Sequence, residues 1–164
     1  KIRKAQELVQ VTDQHSLESF YSLLKMTFSR QGHQSPVSED YLKKIDEALL
    51  IRNQRKIFFA VDTNGKLHSA LYLSWDKRTA YVHMVGEDPT LRSSGAGSLL
   101  VWEAIQFASR QPGLRTLDFL GSMIEQIETV RRSFGARQVP FHQVEKVSSS
   151  LVRALLAWKG RKLT

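Results

Sequence analysis

Apolar residues recur at spacings of three and four over residues 15–28, at Leu17, Phe20, Tyr21, Leu24 and Phe28. This spacing predicts an amphipathic helix. The polar run Gln31-Gly32-His33-Gln34-Ser35-Pro36 breaks it. Ser38, followed by a first turn of Glu39 and Asp40, starts a second helix with Tyr41, Leu42, Ile45, Leu49 and Leu50 as its apolar face. Three strands in hairpin order come next. Residues 56–62 are apolar and aromatic, Asn64-Gly65 is a short-turn signal, residues 66–75 follow, and Asp76-Lys77-Arg78 turns the chain into residues 79–86.

Past Gly86 the period changes again. Glu87-Asp88-Pro89 is loop, and residues 98–110 form a helix whose only polar stripe is Glu103, Gln106 and Arg110. So apolar a helix needs cover on most sides, as a crossover helix on a sheet has. Gln111-Pro112-Gly113 ends it, and residues 115–120 read as a buried strand. A strand–helix–strand order implies a parallel pair, residues 79–86 beside 115–120. Ile124, Ile127, Val130, Arg131 and Phe134 mark another helix, stopped by Gly135. Residues 138–146 are a final strand, and Ser148 to Ser150 cap a last helix carrying Leu151, Leu155 and Trp158. The order ααβββαβαβα, without linker or repeat, is one α/β domain over residues 1–164 on a mixed central sheet. Phe58, Phe59, Trp75 and Trp102 are expected in the core.

Composition narrows the chemistry. The 164 residues include no cysteine, which excludes disulfides, thiolate metal sites and cysteine nucleophiles. No apolar run reaches the roughly 18 residues of a bilayer span, and no signal-peptide pattern opens the chain. A cytoplasmic location is the expectation. The net charge of +8 is concentrated at the ends: Lys1, Arg3 and Lys4 at one, Lys159, Arg161 and Lys162 at the other, so residues 5–158 carry only +2. Residues 57–120 are neutral, with six basic and six acidic side chains. The five histidines, at 15, 33, 68, 83 and 142, have no metal-ligand spacing, and no Gly-x-Ser-x-Gly elbow is present. Asp118, in an apolar run, is read as a hydrogen-bond acceptor at a strand end, and Glu128 with Arg132 as an i,i+4 surface pair.

The most informative segment is Arg92-Ser93-Ser94-Gly95-Ala96-Gly97-Ser98-Leu99-Leu100. Two glycines at a strand-to-helix junction let the backbone turn tightly and leave its N–H groups open. With the helix dipole they make an anion site suited to a pyrophosphate. Arg92 can add a charge-assisted contact. A phosphate-binding P-loop needs Gly-Lys-Ser/Thr, which is absent. The dinucleotide fingerprint needs a small third residue where Leu100 stands.

Arg-x-x-Gly-x-Gly, after an antiparallel meander and before a buried helix, resembles the acyl-CoA pyrophosphate loop of GNAT acetyltransferases, and the element order matches that fold over nearly the whole chain. Leu117-Asp118-Phe119-Leu120-Gly121-Ser122, Phe134-Gly135-Ala136 and Val144-Glu145-Lys146 look more narrowly like the second half of FemAB-like proteins, where two such domains occur in tandem. Lys1-Ile2-Arg3-Lys4-Ala5 looks like the basic helix between them, so residues 1–12 read as a remnant of an interdomain helix and the chain as part of a longer protein.

The GNAT resemblance implies acetyl-CoA or another acyl-CoA as co-substrate, no metal, and a small-molecule or peptide amine as acceptor. Arg92, Ser93, Ser94, Gly95, Ala96, Gly97 and Ser98 would hold the cofactor. The strand before the loop would give a backbone N–H to the thioester carbonyl, and a base would remove the ammonium proton. Glu87 and His83 are the candidates for that base, with Asp88 beside them. His83 alternates with Val82 and Met84, so it faces either the cleft or the other side of the sheet. The family commonly places a Tyr four residues before the glycine ending the next helix, as acid to the leaving thiolate; here Arg131 stands there. Two other readings follow from the FemAB-like likeness: a ligase using aminoacyl-tRNA in place of acyl-CoA, and a half-domain that completes a cleft with a tandem GNAT-like domain or a second copy in a homodimer.

Overall fold

The computed structural model describes residues 1–121, 125–140 and 149. Residues 1–134 make one compact unit, and residues 135–164 are grouped separately. The first unit opens with helix α1, Ile2–Leu8, and a short strand β1, Gln10–Thr12. Helices α2, Leu17–Arg30, and α3, Glu39–Ile51, follow, then strands β2, Arg55–Val61, β3, Leu67–Trp75, and β4, Thr79–Glu87. A 3-10 turn at Arg92–Ser94 leads into α4, Ala96–Arg110, then β5, Thr116–Asp118, and α5, Glu125–Arg132. The sheet order is β1-β2-β3-β4-β5, antiparallel except for the parallel pair β4/β5. The expected mixed sheet flanked by helices is therefore present.

Local chemistry sets the helix starts. Ser16 Oγ accepts the Ser19 N–H at the start of α2, and Ser38 Oγ accepts the Tyr41 N–H at the start of α3. Such caps contribute about 1 kcal/mol each. The sheet buries both faces. On one face, Leu71, Leu73, Ala80 and Val82 meet Ala96, Leu99, Leu100, Ala104 and Ala108 of α4 together with Ala5 and Ile2 of α1. Alanines at this seam let α4 approach the strands closely. On the other face, Phe59, Ala70 and Tyr72 pack under Phe20, Leu23 and Leu24 of α2 and Leu42 of α3. Burying each large side chain there contributes about 1.5–3 kcal/mol. Gly86 brings α2 onto the sheet, since a Cβ at that position would lie 2.6 Å from the Leu24 backbone nitrogen and 2.7 Å from the Leu23 carbonyl carbon.

The structure corrects several expectations. Strand β1 has no counterpart in the expected order; three residues are too few to show a period, and pairing with β2 creates the strand. The strand expected over 115–120 is only Thr116–Asp118 and alternates between exposed and half-buried, because β4 pairs with it only at Thr79, Ala80 and Tyr81. Trp102 is 37% exposed, not core, and on α3 Tyr41 and Leu50 are more than half exposed while Asp46 is buried. Helix α4 begins two residues earlier than residue 98. Asp118 accepts the Leu120 N–H at 2.7 Å, and Arg132 pairs with Glu128. Residues 138–140 are not in a strand. The remainder of the expected strand 138–146, and the last helix from Ser150 onward, lie outside the described residues.

Candidate functional site

Strands β4 and β5 run side by side only briefly. Their register ends at Tyr81 and Asp118, while β4 continues to Glu87. Beyond Tyr81 the β5-side edge of β4 has no further strand partner among the described residues, and this edge lies at the carboxyl ends of two parallel strands, the usual position of a ligand crevice in an α/β sheet. The backbone groups on that edge follow from alternation. The Asp88 N–H bonds to the His68 carbonyl at 3.0 Å, so Gly86 and Met84 turn their amides toward β3, and Val85 and Glu87 turn theirs away. The Glu87 N–H goes to Thr27 Oγ1 at 2.7 Å. The Val85 N–H therefore points away from β3, toward the β5 side of β4.

The start of α4 lies beside the same end of β4. Gly95 adopts φ +78, the left-handed conformation that glycine takes without steric cost. The Ala96 N–H is bonded to Ser94 Oγ and the Leu99 N–H to the Gly95 carbonyl. The Gly97 and Ser98 N–H groups are first-turn donors with no partner within the helix. A Cβ at Gly97 would lie 2.3 Å from Glu87 Oε1. The glycine thus makes room for a carboxylate against the first turn of α4, and the other oxygen of Glu87 is 3.1 Å from Arg92 Nε. An anion already rests at the helix start, on the chain's own cation. The donor set fits a pyrophosphate.

Glu87 and Arg92 are therefore brought together, on the α4 side of the sheet. His83 is elsewhere. The register shifts from Tyr72↔Met84 to Leu73↔Val82, making His83 the extra residue of a β-bulge. Its Nδ1 is 3.2 Å from Ser74 Oγ and its ring stands edge-on to Tyr72, 6.1 Å between centroids. Tyr72 belongs to the α2/α3 face, so His83 faces that side. Partial burial lowers the His83 pKa below its ordinary value, which keeps the ring neutral and able to accept a proton at neutral pH. Asp88 is held below the usual carboxylate range, chiefly by the Thr90 hydroxyl; it fixes the loop. Burial lowers the pKa of Arg131.

Three features are not visible in the sequence. The α2/α3 face holds a buried polar group in which Tyr72 donates to Asp46 Oδ1 at 2.8 Å and Arg55 Nη2 donates to Asp46 Oδ2 at 2.9 Å. Burial and the Asp46 carboxylate drive the Tyr72 phenol pKa upward. Asp46 stands four residues after Leu42 and three before Leu49, a helical-face spacing that marks it in retrospect. The Val85 N–H has no signal in the sequence. Nor does the position of α1, which packs against the Arg92–Ser98 loop: Lys4 Nζ donates to the Ser93 carbonyl at 3.2 Å, and the Lys1 carbonyl oxygen would be 3.2 Å from a Cβ on Gly95. A sequence count makes the loop region neutral, but the fold returns basic residues to it.

Two surface hollows, of about 510 and 360 Å3, lie along the outer side of α2 and beside Arg55, Lys56 and Trp75. Neither includes the Arg92–Ser98 loop. No helix among the described residues is long and apolar enough to cross a membrane.

A five-stranded mixed sheet with one parallel pair, and a glycine-bearing loop starting the helix between those two strands, is the architecture of a GNAT-like α/β domain. The chain belongs to the acetyltransferase (GNAT) domain family, whose model matches residues 1–126. No curated protein sequence matches it. Solved structures show the same fold at low identity. A predicted acetyltransferase with acetyl-CoA from Clostridium acetobutylicum has a TM-score of 0.65 at 13% identity, over 88% of this chain and 96% of that one. Glucosamine-6-phosphate N-acetyltransferase from Arabidopsis thaliana has a TM-score of 0.60 at 11% identity, over 86% and 99%. The aminoglycoside 6'-N-acetyltransferase AAC(6')-Ih from Acinetobacter baumannii has a TM-score of 0.60 at 16% identity, over 87% and 99%.

Proposed function

We propose that this protein transfers an acyl group from acyl-CoA to an amine at the β5-side edge of β4. The observation that carries this is the helix start at Gly95–Ser98, where the Gly97 and Ser98 N–H groups have no acceptor within the helix and a carboxylate already lies against the first turn. Acyl-CoA supplies an activated thioester when bound. The Gly97 and Ser98 amides hold the pyrophosphate, and the Val85 N–H donates to the thioester oxygen as negative charge develops on it. The acceptor amine enters from the α2/α3 face, opposite α4. His83, neutral and on that face, takes the proton that the ammonium loses, directly or through water. The amine nitrogen bonds to the acyl carbon as the carbon–sulfur bond breaks; CoA leaves as the thiolate, and the second proton shed by the nitrogen reaches that sulfur through solvent.

This assigns the base to His83 rather than to Glu87, because Glu87 is engaged by Arg92 on the other face. The FemAB-like alternative, with an aminoacyl-tRNA donor, leaves the open amides of α4 without a role; salt-dependent binding of tRNA tests it. Calorimetric titration with acetyl-CoA tests the primary reading. Saturable one-to-one binding is expected, and absence of binding refutes it.

A further inference from the structure

The segment from Glu87 to Ser98 contains two acids, Glu87 and Asp88, and one base, Arg92. Its own net charge is −1, and its one guanidinium is occupied by Glu87. A site of that charge does not by itself attract a polyanion. The fold supplies cations from the other end of the sequence. Ala5, fully buried against α4, and Ile2 anchor α1 beside the loop. Lys1 and Lys4, three residues apart, share one side of the helix. Lys4 Nζ reaches the Ser93 carbonyl at 3.2 Å, and the side chain is otherwise exposed. An ammonium is thus held at the first turn of the loop by a neutral carbonyl, and it has no acidic partner among the described residues.

We infer that Lys4, on α1, is a cofactor-binding residue that contacts the pyrophosphate of acyl-CoA from outside the Arg92–Ser98 loop. The inference rests on the proposed acyl-CoA reading and adds to it a residue outside the glycine loop. It also gives a second reason for glycine at position 95. Beyond its positive φ, a Cβ there would lie 3.2 Å from the Lys1 carbonyl oxygen, so the start of α1 would have to yield by a few tenths of an ångström.

Calorimetry on the full chain tests this with acetyl-CoA and with acetyl-3'-dephospho-CoA, which keeps the pyrophosphate. Lys4→Gln should weaken both ligands by about tenfold, with the melting temperature unchanged. Lys4→Arg should restore most of the affinity, and Arg3→Gln, a nearby exposed change, should have no effect. Equal affinity of wild type and Lys4→Gln overturns the inference and leaves the acyl-CoA reading standing. A penalty seen with acetyl-CoA alone also overturns it, since the contact would then be to the 3'-phosphate. If the wild type binds neither ligand, the acyl-CoA reading fails, and the Lys4 assignment with it.

Discussion

The carboxylate of Glu87 lies 3.1 Å from Arg92 Nε, with its second oxygen in the space left by the missing side chain of Gly97. The last residue of β4 and the first residue of the loop therefore satisfy each other at the place where a pyrophosphate would need both a cation and free amides. Exposed pairs of this kind contribute about 0–1 kcal/mol, so the contact is readily exchanged. Replacing Glu87 by Gln removes the competing charge and frees Arg92. The expected result is tighter acetyl-CoA binding by about three- to tenfold, measured by calorimetry. Unchanged or weaker binding would show that Glu87 does not compete for the site.

Gly86 and Gly97 predict opposite outcomes for the same substitution. At Gly86 a Cβ meets the backbone of α2, which cannot move aside without shifting the helix. Gly86→Ala should destabilise by about 1–3 kcal/mol, as overpacking does. At Gly97 the obstacle is the end of a flexible glutamate, and alanine is the better helix former by about 1 kcal/mol. Gly97→Ala should leave stability nearly unchanged or slightly raised. Urea denaturation of both variants is the check, and equal losses would contradict the packing described.

Asp46 receives a phenol and a guanidinium in a buried setting. Asp46→Ala leaves Arg55 without its partner and should cost about 3–5 kcal/mol. Tyr72→Phe removes one hydrogen bond while keeping the ring, and should cost about 1–2 kcal/mol. Chemical denaturation distinguishes them. A loss from Tyr72→Phe as large as that from Asp46→Ala would mean that the phenol hydrogen bond, not the charge pair, holds α3 to the sheet.

The His83 pKa is lowered by burial, so the unfolded chain binds a proton at higher pH than the folded one. Above the unfolded value of about 6.5 both states are neutral and the residue has no pH effect. As pH falls from 6.5 toward the lower folded value, protons bind first to the unfolded chain and stability drops. Wild type should therefore lose melting temperature relative to His83→Gln between about pH 7 and 5. Parallel melting curves for the two proteins over that range would contradict a depressed His83.

The strands and helices that pack by regular spacing were legible in the sequence. Leu17, Phe20 and Leu24 marked α2, Asn64-Gly65 placed the β2/β3 turn, and the two glycines placed the start of α4 to within two residues. What was not legible depends on contacts between distant segments. The shortness of β5 follows from its pairing with β4 only at Thr79, Ala80 and Tyr81. The proximity of Lys4 to Ser93 spans 89 positions, and no local pattern encodes it. The Val85 amide is a backbone group, so its role depends on register alone, and the bulge at His83 sets which face the imidazole takes.

Acyl-CoA bound as proposed has its pyrophosphate at the start of α4 and its thioester against β4. Titrating isotope-labelled protein with acetyl-CoA and following the backbone amides tests this placement most directly. The largest shifts should fall on Gly97, Ser98 and Val85, with α3 little affected. Shifts confined to other regions, or none at saturating acetyl-CoA, would contradict the assignment.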